Sequence, residues 1–365
     1  MNIITGAGIS GATVARVLAE RGENVLVIER RPYTGGNCAD HRDGGILVHR
    51  FGPHIFHTES ERVWKFLGRF TAWHPYLHRV AGVIDGQFVP VPFNLTSLRM
   101  LFPACLADSI ERRLVERFGF GGSVPVLELR RAPEPELHLL ADYVYEKLFL
   151  PYTMKQWGVA PEDIDASVTA RVPVRVSRDD RYFTSRRQGL PLHGYDAMIR
   201  AMLDHPNIEV QTGVDAADLK AEFTRARVFF TGALDELMDM RFGPLPWRSA
   251  RLEFFRLPGG FHQSHAVVNY PENHDFTRIC EYRRFYDAPA EGTVISLEYP
   301  EPWEEGKNER FYPVPGADNE RLYRRYLEAA RAAYPDFHAL GRLGDYRYYD
   351  MDRAVERALD LAENL

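Results

Sequence analysis

An α/β architecture, discontinuous in sequence, is predicted by three observations on this 365-residue chain. The first thirty residues run strand, glycine turn, helix, strand, acid. Residues from about 95 to 157 carry helical periodicity, and strand-rich sequence fills about 247–315 before helices close the chain. The opening unit is the most informative. An almost all-apolar strand, Asn2 to Thr5, meets Gly6-Ala7-Gly8-Ile9-Ser10-Gly11; a helical stretch to about Arg21 then leads to Val25-Leu26-Val27-Ile28 and Glu29. Gly6 permits a tight turn, Gly8 lets a pyrophosphate approach the backbone, and Gly11 lets the helix pack close to the sheet. The helix N-terminus offers unpaired N–H groups to phosphates. Glu29 falls eighteen residues after Gly11, where a carboxylate accepts hydrogen bonds from a ribose 2′-OH and disfavours a 2′-phosphate. The unit predicts a Rossmann-like domain for a dinucleotide, with NAD or FAD preferred to NADP.

Composition bounds the rest. With 45% hydrophobic and 12% aromatic residues the chain can bury a substantial core, in two or three domains. A net charge of −6 with dispersed basic residues gives no nucleic-acid footprint. No apolar run is long enough to cross a bilayer, and the first strand occupies the place of a signal peptide. Cys38, Cys105 and Cys280 are odd in number and far apart. They supply neither a disulfide framework nor metal-ligand spacing, so a cytoplasmic location and no metal are expected.

Along the chain, the paired glycines of Arg30-Arg31-Pro32-Tyr33-Thr34-Gly35-Gly36-Asn37 suit close approach of backbone to ligand. Residues 60–70 read as a short amphipathic helix. Val80–Ile84, Asp85-Gly86 and Gln87–Val89 read as a hairpin that Pro90 and Pro92 end. Residues 168–183 return to strand-like alternation, Val172, Val174, Val176, then Tyr182 and Phe183. A helix begins near Tyr195, short strands follow at Ile208–Val210 and Arg227–Phe230, and Gly341–Gly344 reads as a glycine loop. The terminal helix, from about Asp352, is expected to pack back on the nucleotide sheet.

Three clusters could carry chemistry. His49-Arg50-Phe51-Gly52-Pro53-His54-Ile55-Phe56-His57 places His54 and His57 where they could flank a flavin ring or exchange protons; histidines in a polar loop are the plain alternative. Tyr152-Thr153-Met154-Lys155-Gln156-Trp157-Gly158 offers flat faces for a base or sugar, or else ordinary aromatic packing unless it lines a cleft. Arg171, Arg175, Tyr182, Arg278, Tyr312, Arg342, Tyr346, Tyr348 and Tyr349 form a scattered arginine–tyrosine set. Arginine forks and tyrosine hydroxyls both suit a diphosphate. No Ser-His-Asp elbow or phosphate-loop lysine is present, so any chemistry would be a cofactor's.

In those clusters, together with Arg171-Val172-Pro173-Val174-Arg175, Thr277-Arg278-Ile279, Tyr312-Pro313-Val314, Gly341-Arg342-Leu343 and Tyr346–Met351, the chain resembles the bacterial UDP-galactopyranose mutases nearly end to end. The resemblance implies non-covalent FAD, active when reduced. It also implies interconversion of UDP-α-D-galactopyranose and UDP-α-D-galactofuranose with no net redox change, the flavin N5 forming a covalent adduct with the anomeric carbon. Residue by residue, Arg171, on a mobile loop, and Arg278 match the diphosphate-clamping arginines, and His57 matches a histidine near the flavin. Tyr182, Tyr312 and Tyr348 match diphosphate-binding tyrosines; Tyr152, Thr153 and Trp157 fall in the uridine region. Gly6, Gly8, Gly11, Glu29, Gly36, Asn37, His54, Arg342, Asp350 and Met351 match cofactor-side positions. Pro53 departs from a common alanine, and the Val89–Pro92 stretch lacks an asparagine that some relatives place near the substrate.

The implied division is an FAD-binding domain (1–76, 186–246, 321–365), an inserted helical domain (95–160) and an antiparallel sheet substrate domain (77–94, 161–185, 247–320). A homodimer or larger homo-oligomer is implied too, with NAD(P)H or another reductant for the flavin and a product destined for a surface or cell-wall polysaccharide. Two rivals remain at this point: an FAD-dependent amine oxidase-like oxidoreductase, and a flavin-binding protein without turnover.

Overall fold

Five parallel strands form the nucleotide sheet, in the order Ile208–Thr212, Val25–Glu29, Asn2–Thr5, Arg227–Phe230, Phe337–Ala339. The computed structural model describes residues 1–159, 173–286 and 289–365. Parallel strands joined through crossovers need cover on both faces, and side chains here alternate between two cores. Ile3, Val228 and Phe230 pack with Tyr323, Tyr326 and Ala330 of the helix Ala317–Ala333. Ile4, Val27 and Phe229 face the opposite core, which the helices Ile9–Glu20 and Met351–Glu363 also bury against each other. The terminal helix returns to this side of the sheet by packing on the helix Ile9–Glu20, not on the strands themselves.

A second, seven-stranded sheet runs Tyr312–Pro313, Trp247–Leu257, Thr293–Pro302, Arg278–Glu281, Val267–Asn269, Val80–Ile84, Gln87–Val91. Its neighbours are antiparallel except Val267–Asn269 beside Val80–Ile84. The hairpin at its edge turns through Asp85 and Gly86, both at positive φ, the primed turn that Asp-Gly favours. Here the expectation that Pro90 ends the strand fails. The strand continues to Val91, because on an edge strand a residue without an N–H leaves no ladder bond unmade.

The helical stretch holds Leu95–Leu101, Ala104–Phe118, Pro135–Val144, one π-helical turn over Tyr145–Phe149, and Leu150–Trp157. Asn94 caps the first by accepting the N–H groups of Thr96 and Ser97. Two further expectations are corrected. Of the strand-like 168–183 stretch, the described part is a strand only over Pro173–Arg175, while Tyr182 and Phe183 lie in irregular chain fixed by a hydrogen bond from Tyr182 N–H to the His78 carbonyl. Gly341–Gly344 is a single helical turn instead of a loop. Among the described residues no helix is long and apolar enough to cross a membrane.

Asp40 ties the first sheet's surroundings together. Its carboxylate accepts the N–H groups of Tyr195 and Asp196, at the start of the helix Tyr195–Leu203. A Cβ on Gly194 would sit 2.5 Å from that carboxylate, so glycine there is a packing requirement. Burial pushes the Asp40 carboxyl up to about 6, against the pull of those two donors. Between about pH 4 and 6 the folded chain then holds a proton that the unfolded chain has released. The contribution is complete below the unfolded value of 3.8 and is lost as pH rises through about 6. Urea denaturation should show Asp40→Asn lacking a fall of about 3 kcal/mol that the parent undergoes across this window.

Candidate active site

The first of two cavities, about 500 Å3, lies at the C-terminal edge of the parallel sheet, where ligands bind such folds. All ten cofactor-side positions expected from the sequence line it: Gly6, Gly8, Gly11, Glu29, Gly36, Asn37, His54, Arg342, Asp350 and Met351. The twelve-residue helix Ile9–Glu20 begins here with no side-chain cap, which leaves its first N–H groups for an anion. The Glu29 carboxylate is buried and already oriented, accepting N–H from Ala7 at 2.9 Å and Arg31 at 3.0 Å. A Cβ on Gly36 would fall 2.8 Å from the Gly8 Cα, so the Gly36 turn meets the Gly8 turn with no room for a side chain on Gly36. Open helix terminus, fixed acid and paired glycines suit a dinucleotide. Cys38, beside them, has its thiol pushed up to about 12 by burial, which makes it packing and not a nucleophile.

The second cavity, about 850 Å3, lies between the helical stretch and the seven-stranded sheet. It gathers Tyr152, Thr153, Trp157, Tyr182, Arg278, Tyr312 and Tyr348. The cluster ending the helical stretch therefore does line a cleft. Burial raises the hydroxyl pKa of Tyr152 and Tyr182, and pushes Tyr312 up to about 12, so these groups remain protonated donors at neutral pH. The cavities share a wall. Tyr348 faces the second, Tyr349 and Asp350 the first, and the Arg342 guanidinium of the first lies 4.8 Å from the centre of the Tyr348 ring.

Arg278 sits on the strand Arg278–Glu281 opposite Glu298, its register partner on Thr293–Pro302. Two 2.8 Å hydrogen bonds join its guanidinium to the Glu298 carboxylate in a forked pair, and the Glu298 side chain is 4% exposed. Burial works against the charge, but the Glu298 carboxylate, with Tyr152 and Tyr312 adding to it, holds Arg278 well above the ordinary arginine value. Glu298 was not among the expected site residues. Its signal was a lone charge within the apolar run Val294-Ile295-Ser296-Leu297-Glu298, readable only once the strand pairing is known. Asn269 and Gln156 also line the second cavity and were missed.

Arg175 is not a ligand group in this arrangement. Its guanidinium donates to the carbonyls of Arg181 and Tyr182, which fixes the irregular chain carrying Tyr182. His57 lines neither cavity. Its ring stacks on Phe183 at 3.7 Å, its Nδ1 lies 3.1 Å from Ser185 Oγ, and its Nε2 lies 3.8 Å from the Asp350 carboxylate. Burial lowers its pKa while Asp350 and Asp352 oppose the fall. His54 is closer to the cofactor space, lowered to about 4 chiefly by burial, with Arg342 and Arg278 adding to it. Arg171 lies outside the described residues. Among the described residues no three His, Cys, Asp or Glu side chains converge as metal ligands.

Comparison with known proteins separates this site from others built on the same fold. A model of NAD(P)-binding Rossmann-like domains matches residues 4–70, and the UDP-galactopyranose mutase model matches residues 147–348. A protein of Klebsiella pneumoniae named probable UDP-galactopyranose mutase is 36% identical, over 99% of this chain and 93% of its own. The dTDP-fucopyranose mutase of Escherichia coli is 34% identical, over 99% and 97%. The UDP-galactopyranose mutase of Mycoplasma pneumoniae is also 34% identical, over 100% and 95%. Among solved structures, reduced UDP-galactopyranose mutase superposes with a TM-score of 0.73 at 16% identity, covering 100% of this chain and 94% of that one. An oxidoreductase from Methanosarcina mazei reaches 0.56 at 12%, covering 99% of each, so the fold alone spans several chemistries. Full-length relatives and a family model covering more than half the chain do what the fold cannot: the chain belongs to the UDP-galactopyranose mutase family.

Proposed function

We propose that the chain binds FAD in the first cavity and, with the flavin reduced, interconverts UDP-α-D-galactopyranose and UDP-α-D-galactofuranose. The shared wall carries this reading: a dinucleotide cavity and an arginine–tyrosine cavity meet at Arg342 and residues 348–350. Reduced FAD, when bound, supplies an electron-rich nucleophile for the sugar's anomeric carbon without net redox change. The protein binds and orients. Arg278, kept charged by Glu298, binds the diphosphate most strongly as it leaves with extra negative charge. Tyr182, Tyr312 and Tyr348 donate hydroxyl hydrogens to the same oxygens, while Tyr152, Thr153 and Trp157 hold the base and ribose. Arg171 is the second diphosphate arginine of this reading, and His57 steadies Asp350 behind the cofactor. The three-domain division, a reductant such as NAD(P)H and a homo-oligomeric state belong to the same proposal; exposed Phe120 and Leu139 on the helical stretch support the last.

A second reading keeps the site and changes the substrate to a dTDP-linked 6-deoxysugar. The E. coli dTDP-fucopyranose mutase matches almost as well as the others, and Val91, Leu148 and Phe149 give the second cavity an apolar side. One experiment separates them. Photochemically reduced protein is incubated with UDP-galactofuranose and, in parallel, with dTDP-fucofuranose, and the pyranose forms are followed by chromatography. Rapid UDP-galactopyranose formation with the flavin still reduced supports the first reading. Turnover of the dTDP-sugar alone supports the second, and no turnover of either removes both.

A further inference from the structure

His49 is fully buried and lines neither cavity, yet it carries an unmet hydrogen-bond group. Its ring stacks on Phe285 (5.3 Å, 10° between planes) with Tyr195 and Tyr282 edge-on. Nδ1 accepts the backbone N–H of His54 at 3.0 Å, so the proton sits on Nε2, which has no partner. A buried unpaired N–H costs about 1–3 kcal/mol. Phenylalanine here would avoid that cost and keep the stack. What imidazole adds is the lone pair facing His54.

The other side of His54 is held as well. The Tyr195 hydroxyl donates to the His54 carbonyl at 3.0 Å, and Tyr195 is placed by Asp40, the cross-strand partner of His49. Both peptide groups around His54 are thus bonded to side chains of one small core. The His54 ring, 2.8 Å from the Gly52 carbonyl through Nδ1, must donate from that nitrogen, leaving Nε2 as an acceptor on a ring that lines the cofactor cavity. Burial lowers the pKa of His49 to about 3 and of His54 to about 4, which keeps this tautomer pattern at working pH.

We propose that His49 is a positioning residue for the cofactor: with the Tyr195 hydroxyl it clamps the peptide groups flanking His54 and so presents His54 Nε2, as an acceptor, to the flavin. The inference rests on FAD occupying the first cavity. Reduction adds an N–H donor to a flavin, so a fixed acceptor favours the reduced form.

The test is the FAD midpoint potential and visible spectrum of the holoenzyme, alongside kcat and KM. His49→Phe, which keeps the stack and removes the acceptor, should bind FAD with a lower potential, a shifted visible band and a kcat about tenfold or more below the parent at unchanged KM. His49→Asn, whose side-chain oxygen can accept near the same place, should move all three back toward the parent. Tyr195→Phe, nearly isosteric, should shift the potential in the same direction as His49→Phe and carries the test should the latter not fold. Parental potential and spectrum in both His49→Phe and Tyr195→Phe would overturn the proposal, as would His49→Asn behaving like His49→Phe. Absence of FAD from the parent would instead overturn the functional reading.

Discussion

Arg278→Ala is expected to cut turnover by about a hundredfold or more, about 3 kcal/mol of transition-state stabilisation, while FAD stays bound. The variant does two separable things. It removes a fixed positive charge from the nucleotide cavity, and it leaves the buried Glu298 carboxylate without its forked partner. Stranding a buried carboxylate costs about 3–5 kcal/mol of stability, so loss of activity could reflect a damaged fold. The double variant Arg278→Ala/Glu298→Ala resolves this. With no buried charge left unpaired, its urea midpoint should recover much of the loss, yet turnover should remain at the low level of Arg278→Ala. Glu298→Gln gives the converse view: Arg278 keeps its place but loses its counter-charge, and kcat should fall by less than in Arg278→Ala. Turnover in the double variant rising with its stability would show that Arg278 is structural and end its assignment to the diphosphate.

That pair also marks where sequence reading stops. Features set by residues close in the chain were legible. The glycine turn, its helix and Glu29 fall within thirty residues, and each falls on the first cavity as its spacing requires. Asp85-Gly86 set the hairpin because two positive φ angles are a local property. Features set by pairing across the fold were not. Glu298 meets Arg278 only through strand register, and the His54 carbonyl meets the Tyr195 hydroxyl across some 140 residues of chain. Arg175 shows the opposite error. Composition made it a candidate ligand, but two nearby backbone carbonyls claim its donors. Pro90 was read as a strand breaker because the sequence does not say which strand lies at a sheet edge.

Gly8→Ala and Gly11→Ala should separate cofactor binding from folding, although both lie in one turn. At Gly11 an added Cβ would lie 2.0 Å from the Gly6 carbonyl oxygen and 3.2 Å from Ile4 Cγ2. The first neighbour is backbone, so relief requires the helix Ile9–Glu20 to move off the sheet. Overpacking of this kind costs about 1–3 kcal/mol, and the same shift carries the helix N-terminus away from the phosphates. Gly11→Ala should therefore lower the urea midpoint of the apoprotein and lose FAD. Gly8 is different. Its φ of −84° suits any residue, and a Cβ there would meet only Gly36 Cα at 3.5 Å, an ordinary contact. Nothing in the apoprotein needs glycine at this position; what needs it is backbone approach by a pyrophosphate. Gly8→Ala should unfold like the parent in the absence of cofactor and bind FAD about tenfold or more weakly, a loss of about 1.4 kcal/mol, because the added methyl group stands where the pyrophosphate approaches the backbone. A Gly8→Ala protein retaining full FAD would mean that the dinucleotide does not pass over this glycine, and the cofactor would have to be placed elsewhere in the cavity.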